Sequence, residues 1–131
     1  MSGFLIDLEC TMCGLRHDAA QLQNLCTNCA KPLFARYDLE AVGRALTQEA
    51  LRTREKSLWR FREVLPLPAN REPVTFGEGG TPLLRAERFG QRRGLTSLWV
   101  KDEAQNPTKR FKARGMVNQD SMAKNLGPTQ I

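Results

Sequence analysis

The chain has little of what a membrane, secreted or nucleic-acid-wrapping protein needs. Its 131 residues contain no apolar run near the ~20 required to span a bilayer, so no membrane partner is expected. The opening Met1-Ser2-Gly3-Phe4-Leu5 has no basic start and no long apolar stretch. It does not read as a secretory signal, and a cytoplasmic location is expected. No block of five like charges occurs. The formal net charge of +6 therefore predicts weak attraction to anions and no specific nucleic-acid partner. The glycine-rich Gly77-Glu78-Gly79-Gly80 is not followed by Gly-Lys-Ser/Thr, so it is not a Walker loop. What remains, 40% hydrophobic and 26% charged residues, describes a globular chain of one domain or two very small ones.

Cysteine is scarce and concentrated. All four lie at Cys10, Cys13, Cys26 and Cys29, two Cys-x-x-Cys pairs twelve residues apart. Four thiolates suit a tetrahedral zinc ion, and a closed four-sulfur shell makes the site structural. Disulfides are disfavoured without a secretion signal, and redox chemistry would need only one pair. His17, the single histidine, is expected to sit solvated rather than to ligate. Gly14 follows the first pair and Ala30 the second. If both take a positive φ, Ala30 is strained by about 1 kcal/mol. With strands expected at Phe4–Leu8 and Pro32–Tyr37, residues 1–37 read as a zinc ribbon.

Residues 38–72 read as a helical connector. Asp38 is placed to cap a helix to Leu46, Thr47 a second to Arg54, and Ser57 a third that ends at Pro66. Trp59 and Phe61 on the third are expected to dock against a larger body. Residues 73–131 read as the start of an α/β unit. The glycine turn enters a strand at Leu83-Leu84, and its three glycines permit close backbone approach to a ligand. A short helix Arg85–Arg93 follows, then a strand Leu95–Val100. A helix from Thr108 to Leu126 stops at Gly127-Pro128, and another strand begins at Thr129-Gln130-Ile131. Lys109, Arg110, Lys112 and Arg114 crowd the start of that last helix, where the helix dipole favours anions.

The order of these parts resembles the threonine synthase family. The ribbon is followed by Ser57-Leu58-Trp59-Arg60-Phe61, then Gly77-Glu78-Gly79-Gly80-Thr81-Pro82-Leu83. Lys101-Asp102-Glu103-x-x-Asn106-Pro107-Thr108 and Phe111-Lys112-Ala113-Arg114-Gly115 come last. The later motifs also resemble those of serine and threonine dehydratases, and the ribbon also fits cysteate synthase. The resemblance implies a small zinc ribbon, a helical connector and the beginning of a tryptophan-synthase-β-like, fold-type II α/β domain. It implies pyridoxal phosphate as cofactor and O-phosphohomoserine as substrate, converted with water to threonine and phosphate. Lys112 would carry the cofactor, Phe111 would pack beside its ring, and Thr81 would face the substrate. A full-length form would be a candidate homo-oligomer.

The chain departs from the family in carrying Lys109-Arg110 where members usually have Gly-Ser. It also lacks the downstream glycine-rich phosphate loop and the Asn-containing loop that the family uses. It is therefore expected to be a fragment, a truncated reading frame or a remnant, inactive alone. The competing reading is a non-catalytic zinc-ribbon binding module. In the ribbon Arg16, Lys31 and Arg36 are balanced by Asp7, Glu9 and Asp18, which makes it a poor phosphate-backbone binder.

Overall fold

The computed structural model describes residues 3–127. The strand expected at 129–131 and Pro128 lie outside the described residues. The protein is a small mixed α/β chain with its four cysteines close together.

Strands β1 (Leu5–Cys10), β2 (Arg16–His17) and β3 (Leu33–Tyr37) form an antiparallel sheet in the order β2-β1-β3. Leu8 faces His17 on one side of β1 and Ala35 on the other. Arg16 bridges Asp7 at 2.7 Å, and Arg36 pairs with Glu9, whose carboxyl it holds below its usual range. These exposed pairs contribute little to stability. His17 differs from expectation: pairing of β2 with β1 leaves it buried, not solvated. Among the described residues of the ribbon, 3–37, the buried positions are thus two of the four cysteines, Cys10 and Cys26, and His17.

Helix α1 (Leu39–Ala45) starts at Asp38, whose carboxylate accepts from the Ala41 N–H at 2.9 Å. Helix α2 (Gln48–Thr53) starts at Thr47, whose hydroxyl accepts from the Ala50 N–H at 3.1 Å. Both caps follow the expected side-chain chemistry. The third segment, Leu58–Val64, is a 3-10 helix with a kink at Phe61, not an α-helix. Ser57 makes no side-chain cap there. The reason is tertiary: the Leu58 N–H donates to the Glu78 carbonyl at 2.9 Å, so the loop does the capping.

Strands β4 (Leu83–Arg85) and β5 (Trp99–Lys101) pair antiparallel, with α3 (Glu87–Gln91) between them in sequence. Both elements are shorter than expected. Arg85 stays in β4, and 95–98 leads into β5 as a loop. Helix α4 (Ala113–Leu126) ends at Gly127, which takes φ 74° as a left-handed C-cap. It begins at Ala113, not Thr108. Lys109 has φ 57°, and a left-handed residue interrupts a right-handed helix. Ser121 ties α4 to residue 74, accepting from the Val74 N–H at 2.9 Å. The apolar core is thin: Val42, Leu58, Leu67 and Val117 are its largest fully buried aliphatic side chains.

Candidate functional site

Two knuckles build the cysteine cluster, and they repeat each other. Cys10 N–H donates to Leu15 O at 2.9 Å, and Gly14 N–H returns to Cys10 O at 3.2 Å. Cys26 N–H donates to Lys31 O at 2.9 Å, and Ala30 N–H returns to Cys26 O at 2.8 Å. Gly14 takes φ 72° and Ala30 φ 54°, so the expected strain at Ala30 is present. Ala30→Gly is expected to raise stability by about 1 kcal/mol, and Gly14→Ala to lower it by about as much. Thermal unfolding of the metal-loaded protein checks both. Equal melting temperatures in all three proteins would contradict the reading.

The four sulfurs lie within 4.8 Å of one another. Cys10–Cys29 is 3.4 Å, and Cys13 stands 3.6 Å from both Cys26 and Cys29. These are too long for a disulfide at about 2.05 Å. A tetrahedron with Zn–S near 2.3 Å has edges of about 3.8 Å, so the donor set fits zinc. Backbone N–H groups of Met12 and Cys13 point at the Cys10 sulfur, both at 3.4 Å, and Asn28 N–H points at Cys26. The Cys13 N–H in particular lowers the Cys10 thiol to about 6. Donors aimed at sulfur stabilise a thiolate, which is the ligating form.

The second site lies around residues 78–114. Glu78 is completely buried. Its carboxylate accepts from the Trp59 indole N–H and the Thr75 hydroxyl, each at 3.0 Å, and from the Phe76 N–H at 2.9 Å. Phe61, expected to dock beside Trp59, is exposed at the kink at its own position, whereas Trp59 docks on Glu78. The glycines that follow serve the same closure. A Cβ on Gly80, at φ 59°, would collide with the Lys56 carbonyl oxygen, and one on Gly79 would meet the backbone of Ser57 and Leu58. The close approach is to the connector's own backbone.

Glu103 organises the neighbouring network. It accepts from Arg114 Nε and Nη2, both at 2.8 Å, from the Thr81 hydroxyl at 2.6 Å and from the Asn106 amide at 2.8 Å. Asn106 is buried, and its oxygen accepts from the Gly79 N–H at 3.0 Å. Lys101 donates to the Thr81 carbonyl. The Arg114 guanidinium, followed by the Thr81 hydroxyl, pulls the Glu103 carboxyl down to about 2. Because the folded value is depressed, its stabilisation is complete above about pH 4.5 and is lost as the pH falls toward 2. The difference in melting temperature between wild type and Glu103→Gln should shrink across that window. A difference unchanged from pH 5 to pH 2 would contradict the assignment.

Arg114 is thus neutralised, and only three of the four crowded cations are free. Among the described residues no carboxylate bridges Lys109, Arg110 or Lys112. Lys112 sits at the N-cap position of α4 and is exposed, and Phe111 is 66% exposed. Thr81 is buried, with its hydroxyl held between Glu103 and Arg114. The segment thus brings Lys112, Phe111 and Thr81 onto elements tied by one network. It does not enclose them: a cavity of ~770 Å³ lies elsewhere, between β1, the Leu65–Arg71 segment and the end of α4. Around Lys112 the described residues present an exposed amine without surrounding walls. Sequence reading missed Glu78, Glu103 and Asn106 as organisers. Their placement inside the two quoted motifs was the available signal.

These features define a mixed α/β chain with a four-cysteine metal-ribbon site and an exposed lysine at a helix start. Its similarity is to threonine synthases, and to the N-terminal portion of those proteins. It is 37% identical to threonine synthase of Methanosarcina acetivorans over 124 residues, 95% of this chain and 30% of that protein. The enzyme of Methanocaldococcus jannaschii is 37% identical over 119 residues, 91% of this chain and 29% of that protein. That of Mycobacterium leprae is 46% identical over 57 residues. The chain spans about 30% of the length of the first two relatives. No protein-family model and no solved structure matches it.

Proposed function

We propose that this chain is the ribbon-bearing amino-terminal part of a threonine-synthase-like enzyme, a pyridoxal-phosphate-dependent lyase acting on O-phosphohomoserine. The supporting observation is the identity to named threonine synthases over 95% of the chain, with Lys112 in Phe-Lys-x-Arg-Gly at the start of α4. Bound to Lys112, pyridoxal phosphate would supply an electron sink. The chain's own part is to present that amine. The Glu103–Arg114 pair anchors the first turn of α4 to Thr81 and Asn106, which fixes where Lys112 begins. Phe111 is assigned to the cofactor ring and Thr81 to the substrate side. Lys109 suits the position where the family carries glycine only in backbone shape, since its φ of 57° is one glycine adopts freely. The zinc ribbon is structural.

An exposed lysine outside a closed pocket forms an imine with an aldehyde only weakly and reversibly. The isolated chain should release no phosphate from O-phosphohomoserine. Joined to the remaining portion of the Methanosarcina acetivorans enzyme, it should release phosphate, and Lys112→Ala should abolish that release. Phosphate release that survives Lys112→Ala would refute the assignment.

A further inference from the structure

The four sulfurs of the cluster are not equally covered. Cys10 and Cys26 are buried, at 2% and 3% exposure, and Cys29 is half-buried. Of the four, Cys13 alone is exposed. Two further sulfurs, Cys26 and Cys29, stand 3.6 Å from it. Cys10 and Cys29 form a second close pair at 3.4 Å. Zinc ligation holds each sulfur as a thiolate, the form that attacks an oxidant. Cysteines sensitive to oxidation combine thiolate character, solvent access and a second thiol beside them. Cys13 has the last two by its place in the knuckle, and the metal supplies the first.

We infer that Cys13 is an oxidative modification site through which hydrogen peroxide opens the cluster. The Cys13 thiolate attacks one peroxide oxygen, the O–O bond breaks and hydroxide leaves. The product is a sulfenic acid on Cys13. The Cys26 thiolate then attacks the Cys13 sulfur and displaces a second hydroxide, closing a disulfide. Two thiolates lose two electrons, peroxide gains them, and two solvent protons turn both hydroxides into water. Cys26 is the resolving sulfur because its choice leaves Cys10 and Cys29, already close, for an identical second round. Disulfide sulfurs no longer ligate, so zinc is released. Both disulfides join one knuckle to the other, and a thiol reductant with zinc reverses them. The inference rests on the four-cysteine metal site and not on the proposed activity, so phosphate release has no bearing on it.

The zinc-loaded, reduced chain is treated with substoichiometric hydrogen peroxide and dimedone, which traps sulfenic acids, and is mapped by mass spectrometry. The label should fall on Cys13, roughly tenfold above any other cysteine. Without dimedone, peptides mapped under non-reducing conditions should show Cys13–Cys26 and Cys10–Cys29, with zinc passing to a chromogenic chelator. Cys13→His keeps four ligands and should slow that release roughly tenfold. Met12, 74% exposed, is the competing target beside it, and Met12→Leu should leave release unchanged. First labelling of Cys10 or Cys26, or disulfides closed within each Cys-x-x-Cys pair, overturns the inference. So does zinc release from Cys13→His at the wild-type rate, or release that depends on Met12. If Cys13→His fails to hold zinc, the labelling and disulfide maps of the wild-type chain decide alone.

Discussion

Removing the metal is expected to unfold residues 3–37 and to leave α4 helical. Among its described residues the ribbon buries only Cys10, His17 and Cys26, so little core survives loss of the cluster. A unit below ~40 residues rarely holds together without such a staple. Structural zinc sites bind with apparent free energies of about 10–16 kcal/mol, and that energy is folding energy. Freshly prepared, reduced protein should hold about one zinc per chain. A chelator should collapse exchange protection in β1 and β3. Cys10→Ser and Cys26→Ser should do the same without a chelator. Protein free of zinc with β1 and β3 fully protected would contradict the metal reading.

Glu78→Ala is expected to destabilise the connector and the loop it meets by about 3 kcal/mol. The substitution leaves three donors, from half-buried Trp59 and the exposed Thr75 and Phe76, without their acceptor. A buried donor without a partner costs ~1–3 kcal/mol, and a carboxylate partner lies at the upper end of that range. The Trp59 fluorescence transition in urea should move to lower concentration, while zinc stays bound at the ribbon. Trp59→Phe removes a single donor and should cost about a third as much. A Glu78→Ala protein as stable as wild type would mean that the connector does not depend on this carboxylate.

What could be read in advance was local. The cysteine spacing, the caps at Asp38 and Thr47 and the strained Ala30 depend on residues within a few positions of one another. What could not be read was set by distant partners. Trp59 meets Glu78 nineteen residues away, and Asn106 meets Gly79 twenty-seven away. Those pairings turned an expected α-helix at 58–65 into a kinked 3-10 segment capped by a carbonyl. The start of α4 was misplaced because Thr108 is a good cap by type, yet Lys109 adopts a left-handed conformation just after it. His17 was misplaced because a two-residue strand leaves almost no periodic signal. At the candidate site the place of Lys112 near a helix start was legible from the local sequence. The Glu103 network that anchors its helix joins residues from three separate segments, and no single window displays it.

Under the proposed function, Lys112 is the cofactor attachment point of a site completed by residues outside those matched here. Borohydride trapping with pyridoxal phosphate, followed by peptide mapping, tests it most directly. In the isolated chain the label should spread over Lys112 and the other lysines, Lys31, Lys56, Lys101, Lys109 and Lys124, with no stable yellow complex after desalting. In the chain joined to the remaining portion of the Methanosarcina acetivorans enzyme, the label should concentrate on Lys112, and Lys112→Ala should abolish the yellow species. A joined protein labelled at the other lysines and not at Lys112 would contradict the account.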